Sequence, residues 1–129
     1  MSLAVEGRFM STPVQRILAD MARIPGVMAV FIISKEGFVV EKATAGTLAF
    51  DEDALAAMVT AVYGSTTQLG QELEIGKPEI ATLEYQGHYI LLYDMGDNIL
   101  AVIADKGRAV LGRLRYELKK QAPRIASVL

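Results

Sequence analysis

The first segment with a clear hydrophobic period lies near the amino-terminal end of the chain. Thr12 can cap a helix, Pro13 suits the first helical position and Gln15 completes a capping box. The apolar residues that follow recur at helical spacing, and the helix is predicted to end before Pro25. Its single apolar stripe consists of Val14, Ile17, Leu18 and Met21.

A hairpin of two strands is predicted next. Every position from Val27 to Ile33 is apolar and several are β-branched, so this strand is expected to be central and covered on both faces. After a turn that contains Gly37, residues 38–42 continue as a strand that becomes polar, which is typical of a sheet edge.

The second helix, predicted over about residues 52–73, carries two stripes on opposite sides. Asp51 is a good N-cap, and Phe50 and Leu55 are placed to form a hydrophobic staple. One side carries large residues and is expected to pack on the sheet, which leaves the side of small residues spare. The large residues are Leu55, Met58, Val59, Val62, Thr66, Leu69 and Leu73, and the small ones are Ala54, Ala57, Ala61 and Gly64.

An antiparallel meander of three strands is predicted over residues 79–85, 88–95 and 98–104. The last two strands are almost continuously apolar and are expected to be buried on both faces, whereas the first contains several polar residues and is expected at an edge. A final helix is predicted from Gly107 to Gln121. Its stripe is Val110, Leu111, Leu114, Leu118 and Ala122, and Pro123 is expected to mark its end.

This element order, αββαβββα, predicts an α/β (α+β) fold with a central five-stranded antiparallel sheet. The strands that are buried on both faces need helices on both sides of the sheet. The first strand needs a second neighbour, and the fifth is the buried strand with a free side. The predicted order is therefore 2-1-5-4-3, which places the two polar strands at the edges.

Composition limits the chemistry. The 129 residues contain no cysteine and one histidine, so thiol chemistry and zinc sites built on cysteine are excluded, and no metal site, cofactor or catalytic residue is predicted. Residues 64–72 lack the lysine of a phosphate-binding loop, and His88 is interpreted as a solvated hairpin residue. Asp94 and Asp97 are interpreted as ordinary turn residues. The chain is therefore expected to bind a partner and not to be an enzyme, with residues 1–9 as a leader and 10–129 as one domain.

Charge is unevenly distributed along the chain. Residues 1–105 hold six Lys or Arg and 14 Asp or Glu, whereas residues 106–129 hold seven Lys or Arg and one Glu. The basic last helix could meet nucleic acid, an acidic protein surface or anionic lipid. The interpretation favoured by the sequence is a solvated face, because the acidic body would repel phosphates and no aromatic residue is expected among the exposed basic positions. No nucleic-acid partner and no membrane span are predicted.

The order and spacing of these elements over residues 12–122 resemble the Roadblock dynein light-chain superfamily, and most closely its bacterial and archaeal MglB-like regulators of Ras-like GTPases. The segment Ile24-Pro25-Gly26-Val27 and the hairpin glycine Gly37 carry the resemblance. It implies a homodimer in which the second helix and third strand meet their symmetry mates, and a Ras-like small GTPase as partner. An adaptor or regulator in the cytoplasm is expected.

The residues themselves supply a reason for dimerisation. A stripe of small residues lets two helices approach closely, and an edge strand offers unpaired backbone groups to a second copy. The predicted dimer contacts are Ala54, Ala57, Ala61, Gly64, Ile80, Thr82 and Glu84. The predicted partner contacts flank the small stripe and are Asp53, Thr60, Thr67 and Gln68. Two alternatives stay open: a profilin-like or PAS-like module that senses a ligand, and a purely structural scaffold subunit.

Overall fold

The computed structural model describes residues 11–46 and 49–129, so the predicted leader lies outside the described residues. The predicted element order is confirmed. The helices are α1 (Pro13–Ala22), α2 (Glu52–Glu72) and α3 (Leu111–Val128). The strands are β1 (Val27–Ser34), β2 (Val39–Thr44), β3 (Ile80–Glu84), β4 (His88–Asp94) and β5 (Asn98–Asp105).

The two predicted helix caps are confirmed. At the start of α1, Thr12 Oγ1 accepts from the Gln15 backbone N–H at 3.1 Å, and Gln15 Oε1 accepts from the Thr12 backbone N–H at 3.1 Å. At the start of α2, Asp51 Oδ1 accepts from two backbone N–H groups of the first turn. These side chains satisfy donors that have no partner within the helix, and they fix where each helix begins.

The five strands form one antiparallel sheet in the order β2-β1-β5-β4-β3, as predicted. β1 lies between β2 and β5, and its residues from Ala29 to Ile33 are fully buried. β2 and β3 lie at the edges. A central strand buried on both faces needs apolar side chains at successive positions, which is why the sequence of β1 predicted its place.

Each face of the sheet has its own core. On one face, Val30, Ile32 and Leu100 pack with α1 and α3, joined by Leu18 and Leu118. On the other face, the residues that alternate with these in the strands pack under α2. This second core consists of Ala29, Phe31, Ile33, Ala56, Val59, Tyr63, Leu92, Ile99 and Ala101.

The prediction that β4 is buried on both faces is only partly right. Leu91 and Leu92 are buried, whereas Tyr89, Ile90 and Tyr93 are half-buried. Ile90 lies on the face covered by α2, which packs chiefly on β1 and β2 and leaves β4 and β3 less covered, whereas Tyr89 and Tyr93 lie at the margin of the core on the opposite face, with α1 and α3. Apolar sequence alone does not reveal that one helix is too narrow to cover five strands.

The predicted boundaries of α3 are wrong at both ends. Val110 is an exposed N-cap and not a core residue, and the helix continues past Pro123 to Val128. Pro123 removes one backbone donor, but Ala122 before it and Ile125 two positions after it are buried and still pack on the core. This packing outweighs the local preference of proline to end a helix.

The predicted orientation of α2 is only partly right, because the small residues are exposed as expected but most of the large stripe does not face the sheet. Its buried residues are Ala56, Val59, Tyr63 and Gly70, whereas Met58 is 61% exposed. Of the predicted large stripe, Val59 is buried, Leu55 and Thr66 are half-buried, and Met58, Val62, Leu69 and Leu73 are exposed. A small residue, Ala56, lies against the sheet because β1 already presents the large side chains of Phe31 and Ile33.

Candidate functional site

A cleft lies between α2 and the end of the sheet where β1 and β4 finish. It has a volume of about 480 Å³ and is open to solvent. Residues of α2 form one wall, and Lys35, Asp94 and Ile99 come from the sheet side, with Lys77 from the loop before β3. The residues of α2 in this wall are Thr60, Tyr63, Gly64, Thr67, Gln68 and Gln71.

Asp94 is the centre of a polar network in this cleft. Its Oδ2 accepts from the Tyr63 hydroxyl at 3.1 Å and from the Lys35 ammonium at 3.0 Å, and its Oδ1 accepts from the Gly96 backbone N–H at 2.7 Å. The Lys35 ammonium also lies 5.9 Å from the centre of the Tyr63 ring. These contacts join the first hairpin, α2 and the β4–β5 turn at one point.

The same contacts shift two pKa values. Partial burial acts to raise the pKa of Asp94, but the hydrogen bonds from Gly96, Lys35 and Tyr63 and the charge of Lys35 outweigh it, and the pKa is lowered. Burial, the hydrogen bond to Asp94 and the negative charge of Asp94 raise the pKa of Tyr63 to about 12. At neutral pH Asp94 is therefore a carboxylate and Tyr63 a neutral phenol.

Other groups in the cleft are available to a bound molecule. The hydroxyls of Thr60 and Thr67 donate to carbonyls one turn earlier in α2, which leaves their oxygens able to accept. Within residues 11–46 and 49–129, the side chains of Gln68, Gln71 and Lys77 make no hydrogen bond or ion pair. The cleft thus offers acceptors, amide groups and one cation to a partner.

Three of the four predicted partner residues come together here. Thr60, Thr67 and Gln68 line the cleft, whereas Asp53 lies in the first turn of α2 and does not line it. Sequence reasoning missed Tyr63 and Asp94. They are 31 residues apart and carry no motif, and the turn role assigned to Asp94 accounts for only one of its contacts, the one with Gly96.

The predicted dimer residues fall on two exposed elements. All four small residues of α2 are exposed, and β3 pairs with β4 only, so its outer edge has no strand partner among the described residues. By the strand register, Ile80, Thr82 and Glu84 face the same side of the sheet as α1 and α3. Glu84 forms an ion pair with Lys106.

A second exposed surface of α2 is apolar. We call it the large-residue flank, and it consists of Met58, Val62, Leu69 and Leu73. The half-buried sheet residues Ala81, Ile90 and Ile103 pack at the margin of the α2 core. Exposed apolar side chains that recur along one side of a helix are typical of protein contacts. In the described residues no helix is long and apolar enough to cross a membrane, and no cluster of three potential metal ligands occurs.

The Roadblock/LC7 domain family model matches residues 13–105 of this chain, and the chain therefore belongs to that family. Two relatives are proteins of Methanocaldococcus jannaschii. The uncharacterized protein MJ0310 is 25% identical over 115 residues, covering 89% of this chain and 98% of that protein. The uncharacterized protein MJ0714 is 26% identical over 115 residues, covering 89% of this chain and 95% of that protein.

Solved structures share the fold. The gliding protein MglB from Thermus thermophilus superposes with a TM-score of 0.82 at 19% identity, over 90% of this chain and 87% of that one. MglB of Myxococcus xanthus gives a TM-score of 0.81 at 19% identity, over 92% of this chain and 96% of that one. A Roadblock/LC7 domain from Streptomyces avermitilis gives a TM-score of 0.75 at 18% identity, over 85% of this chain and 92% of that one.

Proposed function

We propose that this chain is a homodimeric adaptor or regulator that binds a Ras-like small GTPase and modulates its nucleotide cycle, by activation or by scaffolding. The observation that carries the proposal is the exposure of α2, which presents small residues, an apolar flank and the wall of a polar cleft on its exposed sides. Membership of the Roadblock/LC7 family and the likeness to MglB support it. The proposed location is the cytoplasm.

Dimerisation would complete the fold. α2 leaves part of its own sheet face less covered, and β3 has a free edge. A second copy related by two-fold symmetry can pair its β3 with this one and bring its own α2 alongside. The proposed contacts remain Ala54, Ala57, Ala61 and Gly64 on α2, with Ile80, Thr82 and Glu84 on β3.

Substitutions of exposed alanine by glutamate test the dimer. Ala57→Glu or Ala61→Glu should yield a folded monomer, because a charge cannot be buried unpaired between two helices. Ala126→Glu on α3 is the matched control, since Ala126 is exposed on the opposite layer, and it should remain dimeric. Multi-angle light scattering measures the mass. A wild-type protein that is already monomeric at micromolar concentration would contradict the proposal.

A matched variant distinguishes the two surfaces of α2. Met58→Glu places a charge on the large-residue flank, about 100° around the helix from Ala57. If the small residues form the contact, Ala57→Glu weakens the dimer more than Met58→Glu does. If Met58→Glu weakens the dimer more than Ala57→Glu does, the chain still dimerises but the contact is centred on the large-residue flank.

The GTPase is proposed to contact the cleft wall formed by Thr60, Thr67 and Gln68, with Asp53 nearby on α2. Hydroxyl and amide groups at this wall can hydrogen-bond a switch loop of the partner and hold it in one arrangement. The chain itself is proposed not to hydrolyse nucleotide. Acceleration would then come from ordering the switch loops and catalytic water of the partner, and not from an arginine finger.

The assay uses the GTPase encoded nearest to this gene. Rates of GTP hydrolysis and nucleotide exchange are measured with and without this protein, and a change in either rate supports a regulator. A T67A/Q68A variant should lose about tenfold or more of the effect, consistent with the loss of two hydrogen bonds. Ser127→Ala, at an exposed position of α3 on the opposite layer, is the control. Binding without any rate change would support the scaffold alternative instead.

A ligand-sensing module is the weaker alternative. Such a module needs an internal cavity, yet the core residues on both faces of β1 are fully buried and closely packed. The cleft beside α2 is open and lies at the surface.

A further inference from the structure

The helices on the two faces of the sheet carry opposite charge. α2 contains Glu52, Asp53 and Glu72 and no Lys or Arg. α3 contains five Lys or Arg and a single Glu, Glu117, which is half-buried and accepts from Gln121. The acidic body is therefore not a uniform background around the basic helix, because the sheet separates the two helices. This separation weakens the argument that the body would repel an anionic partner from α3, and leaves Asp20, Glu79 and Glu84 as acidic groups on the α3 layer.

The outward side of α3 is basic and has an aromatic residue at its centre. Arg113, Tyr116 and Lys120 recur at i, i+3 and i+7 and are all exposed, while Leu114 and Leu118 face the core. Tyr116 is 62% exposed, and the Lys120 ammonium lies 5.9 Å from the centre of its ring. The expectation from sequence that no aromatic residue accompanies the exposed basic positions is thus wrong.

The neighbouring acidic groups on this layer are already paired. Glu79 pairs with Lys119 and Glu84 pairs with Lys106. In the described ranges, the guanidinium of Arg113 and the guanidinium of Arg108 in the turn before α3 have no hydrogen bond or ion pair. These cations are free to meet an external anion.

We propose that this outward side of α3 docks on the surface of an anionic lipid bilayer. We call it the basic face and define it by Arg108, Val110, Arg113, Tyr116 and Lys120. The cations complement the negative surface, and Tyr116 and Val110, which is 67% exposed, add an aromatic and an aliphatic group that the interface accepts. A nucleic acid would use the same cations but has no corresponding place for an exposed valine.

The proposed dimer would strengthen such docking. Antiparallel pairing of β3 with its own copy has its two-fold axis perpendicular to the sheet, so both copies of α3 lie on one side and both copies of α2 on the other. Two basic faces could then meet one flat surface together while α2 stays accessible to a partner. Only this strengthening by the dimer rests on the proposed function, since each single chain carries the basic face.

Vesicle sedimentation with the full chain tests the proposal. We expect binding to phosphatidylcholine vesicles that contain about 30% phosphatidylglycerol, little binding to pure phosphatidylcholine, and a steep loss of binding as salt is raised. Each neutralised charge should cost about fivefold in partition coefficient, so R113Q/K120Q should lose about 25-fold. K42Q/K77Q removes the same charge on the α2 layer, where Lys42 pairs with Glu52 and Lys77 lines the cleft, and should bind within about twofold of wild type.

Several outcomes would overturn the proposal. One is the absence of binding to anionic vesicles at low salt. Another is an equal loss of binding in both double variants. A third is tighter binding to a short DNA duplex than to vesicles, which would assign the basic face to nucleic acid. Circular dichroism verifies that the variants are folded. Light scattering on R113Q/K120Q reports the dimer separately, because Arg113 and Lys120 lie on the layer opposite α2.

Discussion

The Tyr63 hydroxyl donates a hydrogen bond to Asp94 Oδ2 at 3.1 Å and joins the middle of α2 to the end of β4. The apolar contacts of α2 are concentrated earlier in the helix, where Ala56 and Val59 pack on the sheet. Tyr63 therefore attaches the middle of α2, and with it the wall of the candidate cleft, while the buried Gly70 packs near the end of the helix. Tyr63 belongs to the α2 core and is only 3% exposed, and its hydroxyl contacts Asp94 beside the cleft that both residues line.

Removal of this hydroxyl should destabilise the fold. Tyr63→Phe leaves the ring in place and removes one hydrogen bond to a charged acceptor, which is worth about 1.5–3 kcal/mol. We expect the free energy of unfolding in urea to fall by that amount. Tyr85→Phe is the matched control, since Tyr85 is 54% exposed, and it should change stability by less than about 0.5 kcal/mol. Equal effects in the two variants would contradict the role given to Tyr63.

Stability should also fall at alkaline pH because of Tyr63. Its pKa is raised to about 12 in the folded chain, so the unfolded chain loses this proton first, near pH 10. The contribution of the neutral phenol is fully present below about pH 10 and is lost as the pH rises towards 12. Urea unfolding from pH 9 to 12 should therefore show a shallower decline in Tyr63→Phe than in wild type. Parallel curves would show that the pKa of Tyr63 is not raised.

Asp94 should give the opposite dependence at acid pH. Its pKa is lowered in the folded chain, so its contribution is present above the ordinary aspartate pKa of about 3.9 and is lost as the pH falls through the folded value. Asp94→Asn should be less stable than wild type at pH 7, and this difference should shrink below pH 4. Asp20→Asn, at an exposed pair with Arg23, is the control and should cost less at pH 7. A difference for Asp94→Asn that does not change with pH would contradict the prediction.

The sequence predicts which helices and strands form better than it predicts which side of each helix is buried. The capping box at Thr12 and the continuous apolar run of β1 are local signals, and the structure confirms both. The buried side of α2 depends on what β1 presents to it, and a count of large residues placed Met58 inside although it is exposed. The Tyr63–Asp94 contact is formed by tertiary structure alone, so no local pattern could reveal the network in the cleft.

Two helical glycines should respond in opposite ways to alanine. A Cβ at Gly70 would lie 2.2 Å from the Gly76 carbonyl oxygen, so Gly70→Ala forces the loop after α2 to move and should destabilise the chain by about 1–3 kcal/mol. Gly112 has nothing within 4 Å of the same position, and Gly112→Ala should stabilise α3 by about 0.5–1 kcal/mol. Thermal and urea unfolding measure both. Stabilisation by Gly70→Ala would show that the 70–76 loop has another arrangement of equal stability.

Pro123 offers a test of how α3 continues beyond a residue that normally ends a helix. Proline has no backbone N–H to donate to the carbonyl of Lys119, and its ring crowds that carbonyl, which in a helix interior costs about 3 kcal/mol relative to alanine. The helix continues because Ala122 and Ile125 remain buried against the core. Pro123→Ala restores the donor at an exposed position, and we expect the free energy of unfolding to rise by about 1–3 kcal/mol. The control Ser127→Ala, at an exposed site one turn later, should change it by less than about 0.5 kcal/mol. A loss of stability in Pro123→Ala would mean that the stiffness of proline in the unfolded chain contributes more than the missing hydrogen bond costs.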